Sequence, residues 1–217
     1  MNETVAQLKI ALSEREAQIK EMHDQVKVNL QIITSLLNLQ LRRISDAQAV
    51  DALTQSNNRV YAIALIHEKL YNSSNPTRLN LVEYARDLAR HLFYAYQAHF
   101  RDRSMVITGH DVYLDINQLV LCGLIINELV TNALNYAFPH NQTGQISIQI
   151  NAVPQQRCQL IIGDDGIGLP PNVEVAESPS LGLKLVTSLT QQLLGTLTVQ
   201  RKYGTIFTID FPISPST

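Results

Sequence analysis

The stretch Leu160-Ile-Ile-Gly-Asp-Asp-Gly-Ile-Gly-Leu-Pro170 decides how the chain is read. An apolar run stops at two carboxylates, then a Gly-x-Gly, then a proline. The pattern reads as a buried strand entering a loop that uses glycine backbone freedom. Asp164, at the strand end and first in Asp-x-Gly-x-Gly, can accept a hydrogen bond from a ligand. Gly166 and Gly168 let bare backbone approach that ligand. Asp165 reads as a solvated turn residue. Alone, the stretch is equally a plain Asp-Gly turn, and its meaning depends on what the rest of the chain supplies.

Two further stretches supply partners. Upstream stands Asn127-Glu-Leu-Val-Thr-Asn132 inside an apolar helix pattern. Glu128 and Asn132 are four residues apart and share a face. Amide and carboxylate oxygens on a rigid helix suit Mg²⁺, which keeps waters and shares phosphate oxygens; the alternative is a solvated polar face. Downstream, Ser180-Leu-Gly-Leu-Lys184 opens another helix. Free amides at a helix start, with Gly182 and Lys184, favour phosphate; the alternative is a glycine cap beside an exposed lysine.

Composition bounds the rest. The 217 residues carry a formal charge of −2, which gives no bulk attraction for nucleic acid or anionic membrane. Hydrophobic content of 45% is that of an ordinary soluble globular protein. Cys122 and Cys158 sit in apolar runs and read as buried thiols of a reducing, cytoplasmic setting. No zinc spacing and no signal peptide are visible, and the apolar run 119–126 is too short for a bilayer.

Residues 3–44 contain no Gly or Pro. From Ile19 through Met22, Val26, Leu30, Ile33, Leu37, Leu41 and Ile44, apolar steps alternate three and four, the seam of a coiled coil or bundle. A second helix, capped by Ser45 or Asp46, spans 46–72, and the short connection predicts an antiparallel hairpin. The boundary falls at 72–78, giving domains 1–76 and 77–217. Beyond it the expected order is helix 79–97, strand 105–108, helix 115–138, strands 145–153 and 159–163, loop 173–179, helix 181–194, and strands 196–201 and 205–211 joined at Tyr203-Gly204. The fold class is α+β: an N-terminal antiparallel helical hairpin, then an α/β sandwich with a mixed sheet.

In this order the stretches resemble the GHKL ATP-binding fold of two-component histidine kinases. Residues 127–132 match the N box, 164–168 the first glycine box, and 180–184 a reduced second one. Upstream, His23-Asp-Gln-Val-Lys-Val-Asn-Leu-Gln-Ile-Ile-Thr-Ser-Leu-Leu-Asn-Leu-Gln40 is similar to the phosphoacceptor helix of the second HisKA subfamily. Ile66-His-Glu-Lys-Leu-Tyr71 is similar to its second helix. The resemblance covers residues 20–212. It implies that Asp164 binds the adenine amino group and that Asn132 ligates Mg²⁺ with Glu128 and Asn127 assisting. Gly166, Gly168 and Gly182 would shape an ATP pocket, residues 169–181 would be its lid, and Thr205 would lie near the adenine. His23 would be the phosphoacceptor of a sensor histidine kinase core. A homodimeric four-helix bundle, a response-regulator receiver partner and a separate or removed sensor domain are implied with it.

Helical geometry at about 100° per residue puts His23 roughly 50° from the seam centre, on the flank of the bundle. The adjacent Asp24 could orient its imidazole so that a neutral nitrogen attacks. His67 lies on the second helix, where no spacing argues chemistry. The chain also departs from the subfamily. Asp24, Gln25 and Val28 stand where it carries a second His, an Arg and one of an Asn pair, and the second glycine box keeps one glycine. Lys27 and Val28 fit neither phosphatase pattern of related families. Two rivals follow: a non-catalytic scaffold or pseudokinase that binds a regulator, and a GHKL ATPase or serine kinase with Glu128 as general base.

Overall fold

The computed structural model describes residues 2–72, 77–96, 103–139, 142–170, 175 and 180–214. It divides into two compact units, Met1–Thr77 and Arg78–Thr217. Within the expected boundary, residues 73–76 lie outside the described residues, as do 171–174 and 176–179 of the expected lid.

The first unit is a hairpin of α1 (Asn2–Leu41) and α2 (Ala47–Asn72). The α2 start is capped by Asp46, whose Oδ2 accepts the Ala49 amide at 2.9 Å. Asn57 reaches across to donate to Asn38 Oδ1 at 3.0 Å. Of the α1 seam, Val26, Leu30, Leu37 and Leu41 are half-buried. Met22 and Ile33 stay exposed, at 56% and 43%. A second apolar stripe, Val28, Ile32, Leu36 and Leu39, is exposed on the other side of α1. The expected seam thus mixes half-buried with exposed positions, and the second stripe is an apolar face outside it.

Among the described residues, the second unit is a mixed five-stranded sheet with three α-helices. Strands β2 (Arg103–Gly109), β4 (Gly144–Val153), β5 (Arg157–Asp164), β7 (Thr205–Pro212) and β6 (Thr196–Gln200) lie in that order. β2 and β4 are parallel, and the other pairs antiparallel. In β4, Ile146, Ile148 and Ile150 are buried, with period two. β4 packs against α3 (Leu81–Ala95), and β5 against α4 (Ile116–Asn132), whose Leu119, Cys122, Ile125, Ile126 and Val130 are fully buried. α4 packs against both α3 and α5 (Leu181–Gln192). From Ile116 to Ala137 the helix is long and apolar enough to cross a membrane, yet 67% of the window is buried inside the unit, as the central helix of a sandwich must be.

Two local features differ from expectation. The helix expected at 79–97 begins later, because Arg78–Asn80 forms β1, paired antiparallel with β3 (Tyr113–Asp115). Asn80 then caps α3, its Oδ1 accepting the Val82 amide at 2.9 Å. Two three-residue strands leave no period to read. The helix expected at 115–138 is α-helical only to Asn132, and Ala133–Ala137 is a π-helical turn. Both cysteines are buried as expected.

Candidate functional site

The site is assembled where α4, β5 and β7 meet. The π-helical turn carries Ala137 to the glycine loop, and the Ile167 amide donates to the Ala137 carbonyl at 2.9 Å. Asp164 closes β5 opposite Thr205, the first residue of β7. Its Oδ1 accepts the Gly166 amide at 3.0 Å and the Thr205 amide at 3.3 Å. Burial raises the Asp164 carboxyl above its ordinary range; the bonds from Gly166 and Thr205 oppose the rise, and the neighbouring Asp165 adds to it. Asp165 is exposed but not idle, since its Oδ1 accepts the Gln145 amide at 2.7 Å and pins the start of β4.

Above this strand end lies a cavity of about 490 Å³, lined by Asn132, Tyr136, Ile162, Asp164, Gly168, Thr205 and Phe207 among others. Most of the lining is apolar, with few polar groups, the character of a small-molecule site. Asn132, Asp164, Gly168 and Thr205 thus line one cavity. Gly166, Gly182, Lys184, Asn127 and Glu128 are not among the lining residues. Lys184 is exposed, while Asn127 and Glu128 are buried. A Cβ on Gly182 would stand 2.7 Å from Glu128 Oε2, so the start of α5 seats directly on the α4 carboxylate.

The polar stretch of α4 is therefore no solvated face. Asn127 and Glu128 are 1% and 5% exposed. Asn127 Nδ2 donates to Glu128 Oε1 at 3.0 Å, while Asn127 Oδ1 and Thr131 Oγ1 are buried without a partner. Orphaned buried oxygens are costly and call for a reason. No group of three His, Cys, Asp or Glu side chains could hold a metal among the described residues. The Asn132 amide, on a helix rich in amide and hydroxyl oxygens, is a donor that would fit Mg²⁺, which takes most of its shell from water and phosphate.

Tyr136 was not anticipated; it lines the cavity four residues beyond Asn132. That i+4 spacing is its one signal in the sequence.

In the hairpin, His23 is buried, 6% exposed, and not on an open flank. The seam used to place it included Met22 and Ile33, which are exposed. Centred on the half-buried residues alone, the α2-facing direction lies roughly 30° from His23. Asp24 is exposed. The imidazole instead meets His67 of α2, with Nδ1 to Nδ1 at 3.1 Å and ring centroids 5.3 Å apart. Burial lowers the His67 pKa, and the His23 charge lowers it further.

Comparison with known proteins agrees with this architecture. A histidine kinase family model matches residues 21–96. A model of histidine kinase-, DNA gyrase B- and HSP90-like ATPases matches residues 118–215. The chain is similar to the sensor histidine kinase PdtaS of Mycobacterium tuberculosis, with 34% identity over 209 residues, 94% of this chain and 41% of that protein. To PdtaS of Mycolicibacterium smegmatis it is 36% identical over 191 residues, 86% of this chain and 37% of that one. The chain thus spans about two-fifths of the length of these curated relatives. Its fold resembles the histidine kinase domain of the Erythrobacter litoralis EL346 blue-light activated histidine kinase, at TM-score 0.69 and 22% identity, covering 91% of this chain and 96% of that one.

Proposed function

The chain belongs to the histidine kinase family, and from that premise we propose that it moves the γ-phosphoryl group of ATP onto His23 and then onto an aspartate of a response-regulator receiver domain. The observation that carries the proposal is the cavity whose mostly apolar lining holds one half-buried carboxylate, Asp164, and one amide, Asn132.

The adenine enters between Ile162, Phe207 and Tyr136, and its amino group donates to Asp164. Oδ1 of that carboxylate is already held by two backbone amides, so the group is oriented before the ligand arrives. Asn132 would hold Mg²⁺, with Asn127 and Glu128 assisting, and the ion bound there would supply neutralisation of charge on the phosphate oxygens. The start of α5 and the exposed Lys184 serve the phosphates from the other side. A ring nitrogen of neutral His23 forms the nitrogen–phosphorus bond as the bond from phosphorus to the β,γ-bridging oxygen breaks, and that electron pair leaves on ADP.

The exposed α1 stripe of Val28, Ile32, Leu36 and Leu39 pairs with the same stripe of a second copy. This makes the four-helix bundle. The receiver domain, the sensor domain and a cytoplasmic setting belong to the same reading.

Incubation with γ-labelled ATP and Mg²⁺ tests it. Acid-labile, alkali-stable label on the chain is the expected result. Nucleotide binding without label would support the scaffold instead, and phosphate release without label an ATPase.

A further inference from the structure

We propose that His67 is a positioning residue for His23, fixing the tautomer that leaves His23 Nε2 free to attack. The inference rests on His23 being the phosphoacceptor, and deepens that reading. The ring of His67 comes from the facing helix, 44 residues away in sequence, and the two Nδ1 atoms are 3.1 Å apart. A hydrogen bond at that distance needs a proton on one nitrogen and a lone pair on the other.

Two arrangements exist for a neutral pair. If His67 donates, His23 Nδ1 spends its lone pair on the bond and Nε2 carries the proton. Neither ring nitrogen of His23 can then attack. If His23 Nδ1–H donates, His67 Nδ1 accepts and His23 Nε2 keeps its lone pair. Only the second arrangement makes a nucleophile, and in it Nε2 is the attacking atom. As the nitrogen–phosphorus bond forms, positive charge appears on the His23 ring. A neutral acceptor at Nδ1 stabilises that charge, as an orienting partner does for any imidazole.

The surroundings bear on how long His67 stays a neutral acceptor. From α1, His23, Lys20 and Lys27 face this corner. The two lysines lie over the ring of Tyr71, one turn beyond His67, at 4.7 and 5.8 Å from its centroid. Glu68 and Asp24 are exposed. Burial and the neighbouring His23 both lower the His67 pKa. His67 thus stays neutral to lower pH than a free histidine, whose pKa is about 6.5. Below that range it becomes a double donor, His23 must accept, and the nucleophile is lost.

The test compares wild type with His67→Leu and His67→Asn, reading the labelling rate from γ-labelled ATP against pH, and the ¹⁵N spectrum of the histidine rings. Leucine removes the acceptor. The labelling rate should fall by about two orders of magnitude, with nucleotide affinity unchanged, and the His23 Nδ1–H tautomer should vanish from the spectrum. The asparagine amide oxygen sits close to where Nδ1 was and can accept. It should restore a substantial part of the rate and remove the acid limb that His67 gives the wild type. Equal rates in wild type and His67→Leu, or an asparagine variant as slow as the leucine one, would overturn the proposal. So would a wild-type spectrum with the proton on His23 Nε2. If His23→Ala still takes up label, it is the phosphoacceptor reading that fails, and the spectrum still decides the pairing.

Discussion

Gly204 stands directly against the end of the neighbouring strand: a Cβ there would fall 1.9 Å from the Asp164 carbonyl oxygen. Its φ of 100° is one that side chains rarely adopt. The β6–β7 turn is thereby seated on Asp164, and the next residue, Thr205, donates its amide to the carboxylate. Gly204→Ala should cost about 2 kcal/mol or more, since strain and contact add. Thermal unfolding should show a drop of several degrees in Tm, and nucleotide affinity should fall with it.

Asp164→Asn separates the two jobs of that carboxylate. Asparagine will give its oxygen to the Gly166 and Thr205 amides and turn its NH₂ toward the cavity. The adenine amino group then meets a donor. Affinity for ATP, by calorimetry, should fall about 10- to 100-fold, the worth of a hydrogen bond to a charged group. Burial raises the Asp164 pKa, so wild-type affinity should weaken on acidification at a higher pH than an ordinary aspartate would dictate. The asparagine variant should lack that limb. For stability the sign is opposite. A raised carboxylate pKa means the folded state holds its proton longer, so this residue's contribution declines as pH rises through its folded pKa.

Gly182 and Glu128 are coupled through space. Gly182→Ala should lower Tm and labelling rate, because its new methyl meets Glu128 Oε2. Glu128→Ala removes the obstruction. The double variant should be more stable than the sum of the single losses allows, and a double-mutant cycle in urea reads the difference.

The thiols should be inert. Burial, with Asp210 adding to it, pushes Cys158 up to about 12, and burial, Cys158 and Asp115 hold Cys122 well above the ordinary thiol range. Neither should react with iodoacetamide at pH 8 in the native protein, and both should react in guanidinium, as mass spectrometry would report. The thiolate is the reacting form.

Much of this architecture was readable before the fold was known. Strict alternation at Ile146, Ile148 and Ile150 marks a strand with one buried face, and Asp46 and Asp115 mark helix starts. Asp164 stood out because a carboxylate ends an apolar run just before two glycines. Other features left no trace in local pattern. The β1–β3 pair is too short to show a period. The π-helical turn after Asn132 breaks no helical propensity. Nothing in α1 alone distinguishes Met22, which is exposed, from Val26, which is half-buried, so the seam mixed exposed with half-buried positions and misdirected His23. The meeting of His23 with His67 is a tertiary contact between two helices, and no spacing along one chain segment can announce it.

The central claim is that His23 takes the phosphoryl group from ATP bound beside Asp164. The most direct measurement compares acid-labile label from γ-labelled ATP in wild type and His23→Ala, with nucleotide affinity measured on both. The account predicts label on wild type, none on His23→Ala, and equal affinity. Acid-labile label persisting on His23→Ala would contradict it.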